Sequence, residues 1–151
     1  MQEIRTSIER TAEIYGLLTA AGLILLFIIM KLIGLAHIVE LRALNFFIMA
    51  AGIIKAEQSL KRKAADEFTY LNGLAMGVLT AIIATVVFAL FVFIYTQFLD
   101  PAFMQYIIDN QPFGQYLNPY MVSVAIVIEG IGSGLILAFT VMNYMGTVKK
   151  K

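Results

Sequence analysis

A chain of 151 residues that is 60% hydrophobic and only 14% charged, with a mean hydropathy of +0.84, has the composition of a membrane protein rather than a water-soluble domain. Its formal net charge of +1 gives no reason to expect a nucleic-acid partner. Zero cysteines and a single histidine exclude disulfides, thiolate chemistry and Cys/His zinc sites within the chain.

Residues 1–13, MQEIRTSIERTAE, place Ile4 and Ile8, and Arg5 and Glu9, one helical turn apart, the pattern of a short interfacial helix. From Ile14 to about Gly34 the chain is apolar for about 20 residues, enough at 1.5 Å each to cross about 30 Å of hydrocarbon. Arg5 and Arg10 before this run, and Gly34-Leu35-Ala36 after it, imitate a secretory signal and its cleavage site. The run from Ile14 to Met30 is longer than a signal core, however, and Lys31 separates it from the small residues, so an uncleaved first span over 14–34 is expected.

A second span is expected over 36–54. Glu40, Arg42 and Asn45 occupy its first half, near one membrane face where long side chains snorkel, and Phe46 to Ile54 forms its apolar part. The polar connection KAEQSLKRKAADE, Lys55 to Glu67, contains neither Pro nor Gly and should prolong this helix into water. Asp66 is placed to cap the third span, 71–99, the longest apolar body and one able to tilt. Asp100 and Pro101 then form an N-cap and N1 pair for a short helix with Phe103, Met104, Ile107 and Ile108 on one face, expected to lie on the membrane surface. Asn118-Pro119 repeats the cap signal before the fourth span, 120–144, and Tyr106, Tyr116 and Tyr120 suit an interfacial aromatic belt.

The expected fold class is therefore all-α: one integral membrane domain, 1–151, built as a four-transmembrane-helix bundle. With four spans both termini share a side, which carries nine basic residues (Arg5, Arg10, Lys55, Lys61, Arg62, Lys63, Lys149, Lys150, Lys151) against Lys31 and Arg42 opposite. The positive-inside rule places both termini in the cytoplasm.

Small residues recur at four-residue spacing: Gly16 and Ala20; Gly73, Gly77 and Ala81; Gly130, Gly134 and Ala138. Such ridges let helix backbones approach closely, either within the bundle or against a partner. Glu129, about nine residues into the fourth span, lies roughly 14 Å deep and too far in to snorkel. It must be protonated, paired inside the bundle, or set beside a water-filled cavity; Lys31, Arg42, Asn45 and His37 lie toward the same end as partners. His37 reads as an interfacial polar group and not as a metal ligand. Ser7, Ser59, Ser123 and Ser133 have no His/Asp arrangement beside them and no phosphate-binding glycine loop is present, so neither an enzyme nor a cofactor is expected.

The run GLAMGVLTAIIATVVFALFVFIYTQFLDPAF, Gly73 to Phe103, with Gly77 early in it, the exit IYTQFLDP from Ile94 to Pro101 and the glycine-containing span that follows, resembles an uncharacterised family of small bacterial four-span membrane proteins, domain of unknown function 4199. The resemblance implies the bacterial cytoplasmic membrane and brings no activity or site residues with it. Two functions stand as expectations. One is an accessory or assembly subunit that binds membrane lipids and another membrane protein or itself. The other is a small proton- or cation-coupled transporter or channel using Glu129.

Overall fold

The computed structural model describes residues 2–34, 43–64, 68–111 and 113–147, and among them the fold is entirely helical. Five α-helices follow one another: α1 (Gln2–Leu32), α2 (Ala43–Ala64), α3 (Tyr70–Ile94), α4 (Pro101–Asn110) and α5 (Pro119–Thr147). Three helical segments, Thr6–Leu32, Tyr70–Leu99 and Pro119–Met145, are long and apolar enough to cross a membrane.

The first helix differs from expectation. α1 is continuous from Gln2, with no separate interfacial helix before it, because nothing between the amphipathic turns and the apolar run, neither Gly nor Pro, breaks the backbone ladder. It ends at Gly34, which takes φ +74°, the left-handed conformation of a helix C-cap, and donates its N–H to the Lys31 carbonyl at 3.1 Å. The expected start of helix two near Ala36, with His37, Glu40 and Arg42, lies outside the described residues, as do the Asp66 cap and the lysine tail. Thr69 serves as the N-cap of α3, its Oγ1 accepting from the Asn72 N–H at 3.2 Å.

α3 packs against α1, α2 and α5 and forms the centre of the bundle. Its partnership with α5 runs along the small-residue ridges in antiparallel register. Gly73 faces Met142, Gly77 faces Ala138, Ala81 faces Gly134 and Thr85 faces Gly130. A methyl at Gly77, Gly130 or Gly134 would collide with the opposite helix, so these residues set the distance of approach. Gly16 packs in the same way against Ile83, Ala20 is buried, and Gly52 of α2 sits against Thr19 of α1. The ridges legible in the sequence are thus used inside the chain. Gly132, between two ridge positions of α5, has nothing near the position of a Cβ.

The crossing segment Tyr70–Leu99 leaves its α-helix through a π-helical turn, Tyr95–Leu99, where Thr96 donates to the Val92 carbonyl at 2.8 Å. Asp100 caps α4 as the sequence suggests, Oδ1 accepting from the Phe103 N–H at 3.0 Å. Phe103 and Met104 are buried, so the apolar face of α4 is turned to the bundle. Asn118 caps α5 through the Met121 N–H at 2.9 Å.

The connection after Ile54 also departs from expectation. α2 does continue to Ala64, but Ala56, Glu57 and Leu60 are fully buried rather than in water. The cause is a stripe, Met49, Ile53, Ala56 and Leu60, that carries the apolar face through the charged segment and onto Ile8, Ala12 and Met76.

Candidate functional site

All four long helices contribute to a cleft of about 340 Å³. α1 supplies Leu23; α2 supplies Ala43, Asn45, Phe46 and Met49; α3 supplies Thr85 and Phe88; α5 supplies Ile126, Glu129, Gly130 and Ser133. Ala43, Phe46 and Glu129 are exposed and mark its mouth, whereas Leu23, Met49, Thr85 and Phe88 are buried and form its floor.

The close approach at Gly130 brings Thr85 beneath the cleft. Other hydroxyls of these helices, Thr80, Thr96 and Ser133, donate to a carbonyl one turn back, as Ser133 does to Glu129 at 2.8 Å. Thr85 does not: its Oγ1 is buried without a hydrogen-bond partner. Among the described residues the Glu129 carboxylate and the Asn45 amide likewise have no side-chain partner. The cleft is therefore an apolar-walled cavity in which, among the described residues, three polar side chains have no side-chain partner, the general form of a small-ligand site.

Of the polar residues singled out from sequence, the structure brings together Glu129 and Asn45. Arg42 and His37 lie outside the described residues. Lys31 is engaged elsewhere, its Nζ 2.7 Å from Asp100 Oδ2 and 4.2 Å from the centre of the Phe103 ring. The Tyr95 hydroxyl donates to the same Asp100 oxygen at 3.4 Å. Phe27, Tyr95 and Phe103 stack edge to face around this group, with ring centres 5.1 to 6.2 Å apart. The Lys31 ammonium and the Phe103 N–H hold the Asp100 carboxyl below its ordinary value, while Asp100 ties α1 to the start of α4. Lys31 thus anchors a loop helix and leaves the cleft without a described cation.

One site residue escapes the sequence reading altogether. Glu57 is fully buried, with neither carboxylate oxygen hydrogen-bonded. It stands three residues beyond the apolar run ending at Ile54 and outside the three crossing segments, and burial pushes its carboxyl up from 4.5 to about 8. The available signal was the stripe of apolar residues around it; a glutamate at a stripe position is buried by its neighbours.

No three His, Cys, Asp or Glu side chains are grouped for a metal among the described residues. Neither a curated protein nor a solved structure matches the chain. A family model does, over residues 14–114, from the first apolar segment through α4 and into the turn that follows it. With two thirds of its length covered by that match, the chain belongs to the uncharacterised family described as protein of unknown function DUF4199.

Proposed function

We propose that the chain is a small, non-catalytic membrane transporter, proton- or cation-coupled, whose ligand site is the cleft bearing Glu129. The observation that carries this reading is the convergence of Glu129, Asn45 and the unpartnered Thr85 hydroxyl on one apolar-walled cavity. An exposed carboxylate midway along a crossing helix calls for a positive or hydrogen-bond-donating occupant, and the surrounding Leu23, Phe46, Met49 and Phe88 favour an apolar body attached to it. A small lipophilic cation meets both demands.

In this reading α2 is a fourth crossing. It runs antiparallel along α1, with Ile48 against Gly22, Gly52 against Thr19 and Lys63 donating to Thr11, and its crossing part is the apolar run that ends at Ile54, short of Glu57. Four crossings bring both termini to one side, and the basic residues at that end favour the cytoplasm of a bacterium and its inner membrane. α4 lies at the opposite, exported end, beside the Tyr106, Tyr116 and Tyr120 belt.

The test uses purified protein in lipid nanodiscs and tetraphenylphosphonium as the probe. Saturable binding that weakens at least tenfold in Glu129→Gln supports the reading; absence of binding, or equal binding by the variant, overturns it. The accessory-subunit reading draws on the same exposed Glu129, which a partner helix would cover if laid over the cleft mouth. It predicts a stoichiometric membrane protein copurifying with wild type and lost from Glu129→Gln.

A further inference from the structure

Glu57 occupies a place where an ionised side chain is not sustained. Its carboxyl fits the notch left by Gly77 on α3, where an added methyl would collide with Oε1, and Ala138 of α5 and Ile53 of its own helix close the sides. Both oxygens are buried and lack hydrogen bonds among the described residues.

Among the described residues no cation is set against it from any packed element. α3 has no charged residue, and its one titratable group at that end, Tyr70, is exposed. The turn of α5 opposite presents Ala138, Val141 and Met142, and its nearest titratable group, Tyr144, is exposed. On α1, Glu9, Arg10 and Glu13 are exposed and Tyr15 is half-buried. On α2 itself, Lys55 and Arg62 are exposed, Lys61 is half-buried one turn on, and Lys63 donates to Thr11 at 3.0 Å. A carboxyl so enclosed, buried from solvent and facing no cation among the described residues, is retained as the neutral acid.

We infer that Glu57 is a proton-binding site whose deprotonation drives α2 out of the Gly77–Ala138 notch. On release the proton passes to solvent, and the carboxylate left behind regains hydration only when α2 moves. That movement has a route to the cleft. Asn45, Met49, Ile53 and Glu57 recur every four residues on one face of α2; the first two line the cleft and the last two pack at the junction with α3 and α5. Coupling to ligand rests on the transporter reading, whereas the proton site does not.

The chain has no cysteine, so labels are easily placed. Spin labels at Lys55→Cys and Tyr144→Cys, both exposed positions, report the separation of α2 and α5 in nanodiscs between pH 5 and pH 10, while infrared spectroscopy follows the carbonyl band of protonated carboxylic acid. Wild type should lose a band with a midpoint near pH 8, and the label distance should grow with the same midpoint by roughly 2 Å, the scale of a helix shift. Glu57→Gln should show neither change, and Glu129→Gln should keep both. A band or a distance change that persists in Glu57→Gln, or a wild type with no such band, overturns the proposal. Should Glu57→Gln fail to fold, Gly77→Ala replaces it: a methyl that expels the carboxyl from its notch must move the midpoint toward the ordinary glutamate range, and an unmoved midpoint overturns the proposal equally. Tetraphenylphosphonium binding on the same samples separates the two readings, because a titrating band without probe binding at any pH refutes the transporter and not the proton site.

Discussion

Replacing Glu57 by methionine, which matches its length and carries no titratable group, should alter both the stability of the bundle and its response to pH. In the folded chain the carboxyl titrates at about 8, against 4.5 when unfolded. Below pH 4.5 both states hold the proton and pH has no effect through this residue. Between the two values the folded state keeps a proton that the unfolded state has released, so stability falls as pH rises, by at most about 1.4 kcal/mol per unit. Above pH 8 the loss is complete, at most about 5 kcal/mol over the whole interval. Near pH 5 the neutral but unpartnered acid still costs roughly 1 to 3 kcal/mol relative to an apolar side chain of the same size. Glu57→Met should therefore be modestly more stable than wild type at pH 5 and far more stable at pH 9. Unfolding in mixed micelles with increasing SDS, followed by circular dichroism at several pH values, gives both quantities. Parallel pH profiles for the two proteins would refute the reasoning, since they would mean that the carboxyl is hydrated or paired.

The small-residue ladder makes an internal comparison: Gly77→Ala or Gly130→Ala should destabilise by about 1 to 3 kcal/mol through overpacking, while Gly132→Ala, which meets nothing, should be neutral or stabilising by up to about 1 kcal/mol. The same SDS titration reads these. Lys31→Met should raise the Asp100 titration toward the ordinary carboxylate range, followed by nuclear magnetic resonance, and speed hydrogen exchange over Pro101–Asn110 as α4 loses its tie to α1. Thr69→Ala removes the acceptor for the Asn72 N–H and should cost about 1 kcal/mol, with exchange accelerated in the first turn of α3 and nowhere else.

What could be read from the sequence follows the strength of the local signal. The apolar blocks declare the three crossing helices because length and hydropathy are properties of one segment. The caps at Asp100 and Asn118 were legible for the same reason: a side-chain acceptor three residues before a free N–H is a local matter. The four-residue recurrence of Gly73, Gly77 and Ala81 and of Gly130, Gly134 and Ala138 announced close packing, but only the fold shows the two series facing each other in one register. Pairings between charges are non-local. Lys31 could pair by sequence with Glu129 or with another acid at the same end, and the π-helical turn at Tyr95–Leu99 that presents Asp100 to it is formed by the fold. Glu57 was hidden by its company: set among Lys55, Lys61, Arg62 and Lys63 it looks like part of a solvated face, and only the phase of Ile53, Ala56 and Leu60 places it inward.

The two acids then acquire different meanings from their surroundings. Glu129 lies in the most apolar company by sequence yet is exposed at an open cleft mouth. Glu57 lies in the most polar company by sequence yet is fully buried against the Gly77 notch, with neither carboxylate oxygen hydrogen-bonded among the described residues. α2 passes both, contributing Asn45 to the first site and the acid itself to the second. It is also outside the set of helices whose hydropathy alone suffices to hold them in a bilayer, so its position depends on its contacts with α1, α3 and α5. A change of charge at Glu57 acts on those contacts directly, which makes α2 the helix most readily shifted and the one whose shift the cleft would register.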